Sequence, residues 1–227
     1  DAAEAMDLRR GVAVEKPVQP VEWVAVPGGT FTLGSADGGG DNAAVPGVII
    51  RDFEMTKTEV TVEQYARCVD KRMCRKPQGG GEDPDCNWGK PERARHPINC
   101  VGWQQAGQFA QFMGARLPSE SEWEYAAKSA GRTQSYPWGD ERATCATAAM
   151  RGDGAVGCGG GKTLPACARP AGHTAQGLCD MAGNVWEWVQ DKYRRTYAWT
   201  PKDGGANEDD GGYVVYRVMR GGSYTSG

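Results

Sequence analysis

Gly177-Leu178-Cys179-Asp180-Met181-Ala182-Gly183-Asn184-Val185-Trp186-Glu187-Trp188 packs two carboxylates, an amide and two tryptophans into one short stretch. Acidic side chains at 180 and 187, with Gly183 between them to let the backbone come close, form a donor set for a hard cation. Trp186 and Trp188 stand two apart, so an extended backbone turns both to one side and Glu187 to the other. The segment is expected to anchor a core and to hold an ion.

The 227 residues around it fit one large domain or two small ones, and a single core of this size is feasible. Lysine and arginine are scattered and do not outnumber the acids, at a formal charge of −3, so nothing resembles a nucleic-acid footprint. No apolar run approaches the ~20 residues that span a bilayer. Asp1 reads as a processed or cut N-terminus. Many of the 33 glycines cluster at 38–40, 79–81, 152–161 and 204–212, which marks loops.

Cysteines stand at 68, 74, 86, 100, 145, 158, 167 and 179, with no C-x-x-C among them. Zinc and thioredoxin-like spacings are therefore absent, and two histidines supply a mixed site poorly. An even count scattered through loops favours disulfides and an oxidising, extracytoplasmic compartment: periplasmic, cell-surface or secreted. Local pairing is expected within Cys68 to Cys100 and within Cys145 to Cys179.

Residues 1–20 carry Pro17 and Pro20 and read as a linker or extended arm, leaving 21–227 as the domain. Val21 to Val26, Pro27-Gly28-Gly29 and Thr30 to Leu33 read as a hairpin, and Val48 to Thr56 as a strand. Thr61 with Gln64, and Ser119 with Glu122, have capping-box spacing and open helices; the second is expected to run to about Ala130. Val62, Tyr65 and Val69 share a face of the first. Gln104 to Met113 reads as a helix ended by Gly114. Short strands are expected at Val185 to Val189 and Tyr213 to Arg220. Glu120, Glu122 and Glu124 are read as first-turn acids that complement a helix dipole, not as paired catalytic carboxylates.

Several phrases occur in order: Pro27-Gly28-Gly29-Thr30-Phe31, Glu59-Val60-Thr61, His96 to Trp103, Arg116 to Glu124, Pro137-Trp138-Gly139, Asp180 to Trp188 and Arg220-Gly221-Gly222-Ser223. The ordered set resembles the formylglycine-generating enzyme, or sulfatase-modifying-factor, family over about Val21 to Tyr224. The resemblance implies an α+β fold of irregular formylglycine-generating-enzyme type, with a C-type-lectin-like core and little regular secondary structure. Enzymes of this family oxidise a sulfatase cysteine to formylglycine with oxygen and copper held by two cysteines. Other members lack those cysteines and serve as binding, display or accessory domains. Ergothioneine-type sulfoxide synthases join the fold to a histidine-bearing helical domain, which this chain does not supply. His96 and His173 are accordingly read as structural or solvent-facing.

The resemblance implies structural calcium at Asp180, Gly183, Val185 and Glu187, through two carboxylates and two backbone carbonyls. The family's other calcium position finds only Thr147, a neutral hydroxyl, and is not assigned. Trp186, Ser223 and Ser226 match groove-lining positions, while Trp103, Trp123 and Trp138 read as core. Ser226 stands where the first copper-binding cysteine belongs, and the second position falls beyond Gly227, so the domain reads as C-terminally incomplete. Copper(I) prefers soft ligands, and a hydroxyl replaces a thiolate poorly. The reading is therefore a pseudoenzyme: an exported, disulfide-stapled and calcium-bearing domain that binds a protein or glycan or supports an assembly. The alternative is a copper-dependent formylglycine-generating oxidase whose catalytic cysteines are absent from this chain.

Overall fold

A computed structural model describes residues 18–35, 43–78, 81–152, 154–209 and 216–227, with the backbone of Met6–Asp7 and Val12–Ala13. Regular structure is sparse: strands β1 (Met6–Asp7), β2 (Val12–Ala13), β3 (Trp23–Val26), β4 (Gly29–Leu33), β5 (Val45–Ile50), β6 (Phe53–Thr56), β7 (Glu187–Lys192) and β8 (Arg217–Arg220), and helices α1 (Val62–Asp70), α2 (Trp103–Phe112) and α3 (Glu120–Ala127). All the strands pair antiparallel, in twos: β1 with β2, β3 with β6, β4 with β5, and β7 with β8. This is the irregular α+β architecture expected.

The expected hairpin at Pro27-Gly28-Gly29 is not there. Val26 faces Phe53 and Gly29 faces Ile50, so the chain advances equally on both strands across the interruption. Residues 23–33 and 45–56 thus form one long ribbon, bent at Pro27-Gly28 and Arg51-Asp52. Gly28 N–H donates to Asp52 Oδ1 at 2.7 Å, and a Cβ on Gly28 would lie 2.5 Å from the Ile50 carbonyl oxygen. Proline and glycine mark a close approach of two backbones here, not a reversal.

The ribbon's inner face buries Phe31, Leu33, Val48 and Ile50, whereas Ile49 points outward and is 55% exposed. Against this face pack Trp123, Tyr125, Ala126 and Ala127 of α3, together with Leu178, Met181 and Val189. Tyr125 meets Phe31 edge-on at 5.2 Å. A second cluster joins Tyr65 of α1 to Phe109 of α2, stacked at 5.8 Å, over the Cys68–Cys74 bond.

Both expected capping boxes form. Thr61 Oγ1 accepts from Gln64 N–H at 3.3 Å while Gln64 Oε1 accepts from Thr61 N–H at 3.0 Å, and Ser119 and Glu122 do the same. Helix α2 starts one residue early, and Gly114 (φ +71°) ends it. Helix α3 stops at Ala127, short of Ala130, because Ser129, Ala130 and Gly131 turn left-handed (φ 52°, 62° and 76°). Gly131 lies flat on the Tyr125 ring there, where a Cβ would come within 2.5 Å of Cε2. The strand expected at Val185 to Val189 lies two to three residues later, and residues 213–215 of the other fall outside the described residues.

All eight cysteines pair locally: Cys68–Cys74, Cys86–Cys100, Cys145–Cys158 and Cys167–Cys179. Native protein is therefore expected to take up no thiol alkylator, and eight equivalents after reduction, as read by intact mass. The Cys86–Cys100 bond spans 14 residues, and removing such a link costs roughly 3 kcal/mol in the chain-entropy model. A Cys86→Ala/Cys100→Ala variant should show that loss in urea unfolding. No helix among the described residues is long and apolar enough to cross a membrane.

Candidate functional site

Leu178 and Met181 are sunk in the main core, 0% and 5% exposed, and fix both sides of Asp180. Between Asp180 and Asn184 the backbone takes left-handed values at Asp180 (φ 55°), Gly183 (φ 89°) and Asn184 (φ 59°), which coil the segment into a tight loop. Gly183 N–H donates to the Gly221 carbonyl, and Asn184 N–H to the Ala149 carbonyl, each at 2.8 Å. A Cβ on Gly183 would lie 2.4 Å from Ala149 O. Gly183→Ala must both hold a positive φ and move that backbone, so a loss of about 2 kcal/mol or more is expected in thermal or urea melts.

Three carboxylates, Asp180 of this loop, Glu187 just after it and Glu59, feel one another electrostatically. Trp123 Nε1–H donates to Glu187 Oε2 at 2.9 Å. Cys167 N–H donates to Asp180 Oδ2. Glu59, just before α1, accepts from Asn184 Nδ2 at 2.7 Å and from Val185 N–H at 3.1 Å. The Val185 carbonyl and Glu187 Oε1 both face Gly221, lying 3.8 and 3.9 Å from where its Cβ would stand. A glycine there leaves room beside two oxygens.

Electrostatics set these acids apart. Burial pushes the Glu187 carboxyl up to about 7, and Asp180 adds to the rise. Burial, then repulsion from Asp180 and Glu187, holds Glu59 well above the usual carboxylate range. Burial also raises Asp180, partly offset by the Cys167 N–H, His173 and Arg169. Among the described residues, Glu59 and Glu187 are bonded by neutral N–H groups alone. Glu59 and Glu187 offer carboxylate oxygens with no basic partner among the described residues, the donor type a hard divalent cation takes, and such a cation would favour their ionised forms.

Sequence reasoning missed Glu59. Its phrase was noted, but a carboxylate at the mouth of a helix reads locally as a dipole partner. Its link to residues 184 and 185 is long-range. The structure also corrects the tryptophans. Trp186 is 50% exposed and anchors no core, while Trp188 is partly buried and donates to the Val101 carbonyl at 2.9 Å. Of the three tryptophans read as core, Trp123 is buried; Trp103 lies under the Arg217 guanidinium at 3.9 Å, and Trp138 stacks on Tyr136 at 5.0 Å.

Trp186 lines two cavities of about 320 and 330 Å³. The first sets Glu120, Asp191, Arg217 and Arg220 among apolar and aromatic neighbours such as Trp186 and Tyr193; the second runs past Trp23, Met55 and Trp188 toward Glu59 and Glu187. Neither of these two cavities includes Ser223 or Ser226 in its lining. Ser223 and Ser226 close a turn of their own: Ser223 N–H donates to Ser226 Oγ at 3.0 Å, and the two hydroxyl oxygens stand 3.4 Å apart.

Residues 9–227 match the model of the sulfatase-modifying factor enzyme 1-like domain, and the chain belongs to that family. A formylglycine-generating enzyme of Streptomyces coelicolor is 32% identical over 88% of this chain and 78% of its own length. The serine/threonine-protein kinase pkn1 of Chlamydia pneumoniae is 31% identical over 93% of this chain, which spans only 35% of that kinase. The mouse inactive C-alpha-formylglycine-generating enzyme 2 is 35% identical over 56% of this chain and 40% of its own length. Among solved structures, PvdO from Pseudomonas aeruginosa superposes with a TM-score of 0.71 at 27% identity, covering 94% of this chain and 89% of its own.

Proposed function

We propose that this domain is an exported, non-catalytic member of its family, stabilised by four disulfides and one calcium ion, whose work is to bind a protein or glycan or to support an assembly. The observation that carries the reading is Ser226. A hydroxyl occupies the position of the first copper-binding cysteine, and it is committed to a turn with Ser223. All eight cysteine sulfurs are paired in disulfides, which leaves none of them as a thiolate for copper(I). An inactive relative in the same family supports the reading. Four disulfides support export, since such bonds persist in oxidising compartments. Exposed rings lining the first cavity, Trp186 and Tyr193, are of the kind that stack on sugars or anchor protein interfaces.

Calcium would be held by Asp180 and Glu187 through carboxylate oxygens and by Gly183 and Val185 through carbonyls, with Glu59 bracing the loop from behind. The ion would supply positive charge to the buried acids and rigidity to the loop. The test of the non-catalytic reading is incubation with copper(I), oxygen and a cysteine peptide of sulfatase type. No aldehyde is expected by mass spectrometry; turnover by this chain would establish the copper oxidase instead.

A further inference from the structure

Cys167, His173 and Cys179 bring two sulfurs and one imidazole nitrogen within 4.8 Å of one another. The two sulfurs are bonded, with Cα atoms 5.0 Å apart, and His173 Nε2 stands 3.4 Å from Cys167 Sγ. A backbone link between the two cysteines would not by itself place a ring nitrogen there. His173 arrives from the short turn at Pro170–Gly172, whose Gly172 is pressed so close to Thr147 that a Cβ would fall 1.8 Å from that carbonyl oxygen.

We propose that Cys167, Cys179 and His173 form a second, soft metal site, closed while the disulfide is intact and opened by a dithiol reductant to take zinc(II) or a metal of like preference. The geometry carries this. With Zn–S of about 2.3 Å and Zn–N of about 2.0 Å, a sulfur and a nitrogen on tetrahedral zinc lie about 3.5 Å apart. Cys167 Sγ and His173 Nε2 already have that spacing. The two sulfurs need to part to about 3.8 Å on the same metal. Cys167 and His173 are both partly exposed, which leaves an entry path and a fourth position for water. Sulfur and imidazole select against calcium, which takes oxygen, so the site is chemically distinct from the carboxylate cluster next to it.

The electron balance is simple. A thiolate of the reductant attacks Cys167 Sγ, the accessible sulfur, forming a mixed disulfide and releasing Cys179 as a thiol. The reductant's second thiol then frees Cys167 and leaves as its own disulfide, having given two electrons and two protons. Zinc binding displaces both thiol protons to solvent.

The test uses the whole chain, opened by graded treatment with a water-soluble phosphine, which ends as its oxide and is removed. Alkylation and peptide mapping identify the bond that opened. Cobalt(II) is then added as the spectroscopic probe, with millimolar calcium present. Expected are one cobalt per chain, thiolate-to-cobalt charge-transfer bands, and affinity at least about ten-fold weaker in His173→Ala, which keeps every disulfide for folding. Cys167→Ser/Cys179→Ser, treated identically, should show no such bands. The site is overturned if the Cys167–Cys179-opened chain takes no cobalt, if His173→Ala binds equally well, or if the double variant keeps the bands.

Discussion

In chelator, the domain is expected to lose stability as pH rises from about 4.5 to about 7, and the calcium proposed above is expected to reverse that trend. The sign follows from Glu187. Its folded carboxyl titrates at about 7 rather than 4.5, because burial penalises the anion. Between those values the folded state binds a proton that the unfolded chain has released, so stability falls with rising pH and levels off above the folded value. The shift corresponds to roughly 3 kcal/mol at pH 8, or a melting temperature lower by about 6–12 °C for a domain of this size. Glu59 and Asp180 are raised as well, and act in the same direction. Bound calcium changes the balance, since it favours the anions and competes with protons. Melts in chelator and in millimolar calcium at pH 5 and pH 8 make the comparison. The calcium gain should be small at pH 5 and large at pH 8. Glu187→Gln sharpens the test, because the amide can still accept from Trp123 but carries no charge. In chelator at pH 8 it should melt above the parent chain, and calcium should do little for it. Equal pH profiles with and without chelator would remove the ion from the account.

Local signals in the sequence carried far, and failures have a common cause. The capping boxes at Thr61 and Ser119 were legible because every partner lies within four residues. The disulfides were legible as local pairs, because short loops close readily. Asp180, Gly183, Val185 and Glu187 stand together in the family phrase; the chain coils from Asp180 to Asn184 and Glu187 opens β7. What stayed hidden was long-range. The ribbon of residues 23–33 with 45–56 looks like a hairpin at Pro27-Gly28-Gly29 until the partner strand is known. Glu59 joins the cluster across more than a hundred residues, through Asn184 and Val185. Glu120 and Glu124 were read as dipole partners of their own helix. Glu120 does lie in the first turn of α3, but both also face Arg220: Glu124 bonds Nη2, and Glu120 lies 3.7 Å from Nη1. A side chain's helical position says which way it points, not which distant arginine waits there.

That last contact carries the second large effect expected of a single substitution. Glu124 is 5% exposed and serves three partners at once: Gly34 N–H at 2.7 Å, Lys128 Nζ at 2.8 Å, and the Arg220 guanidinium. One carboxylate thereby ties the end of β4 to α3 and to β8. Glu124→Ala leaves Arg220 with its longer contacts to Glu120 and Tyr197, and with a buried Nε that has no hydrogen-bond partner among the described residues. Removing one member of a fully buried pair costs about 3–5 kcal/mol, mostly through the charge left behind; with Arg220 24% exposed and still near Glu120, a loss of about 2 kcal/mol is expected. If the stranded charge is the cause, removing Arg220 too should return part of the loss, so Glu124→Ala and Arg220→Met together should cost clearly less than their sum. Urea unfolding of the parent, both single variants and the double variant measures this; additive losses, or less than about 1 kcal/mol for Glu124→Ala, would show the pair to be incidental. The effect should also reach the Asp180–Glu187 segment proposed to hold calcium. Arg220 lies over the Trp123 ring at 5.3 Å, and the Nε1–H of that ring holds Glu187. Freed of Glu124, the guanidinium no longer pins the ring, and Glu187 loses its fixed donor. Calcium should then bind more weakly in Glu124→Ala than in Lys128→Ala, which takes away a neighbour of Glu124 but leaves Arg220 paired.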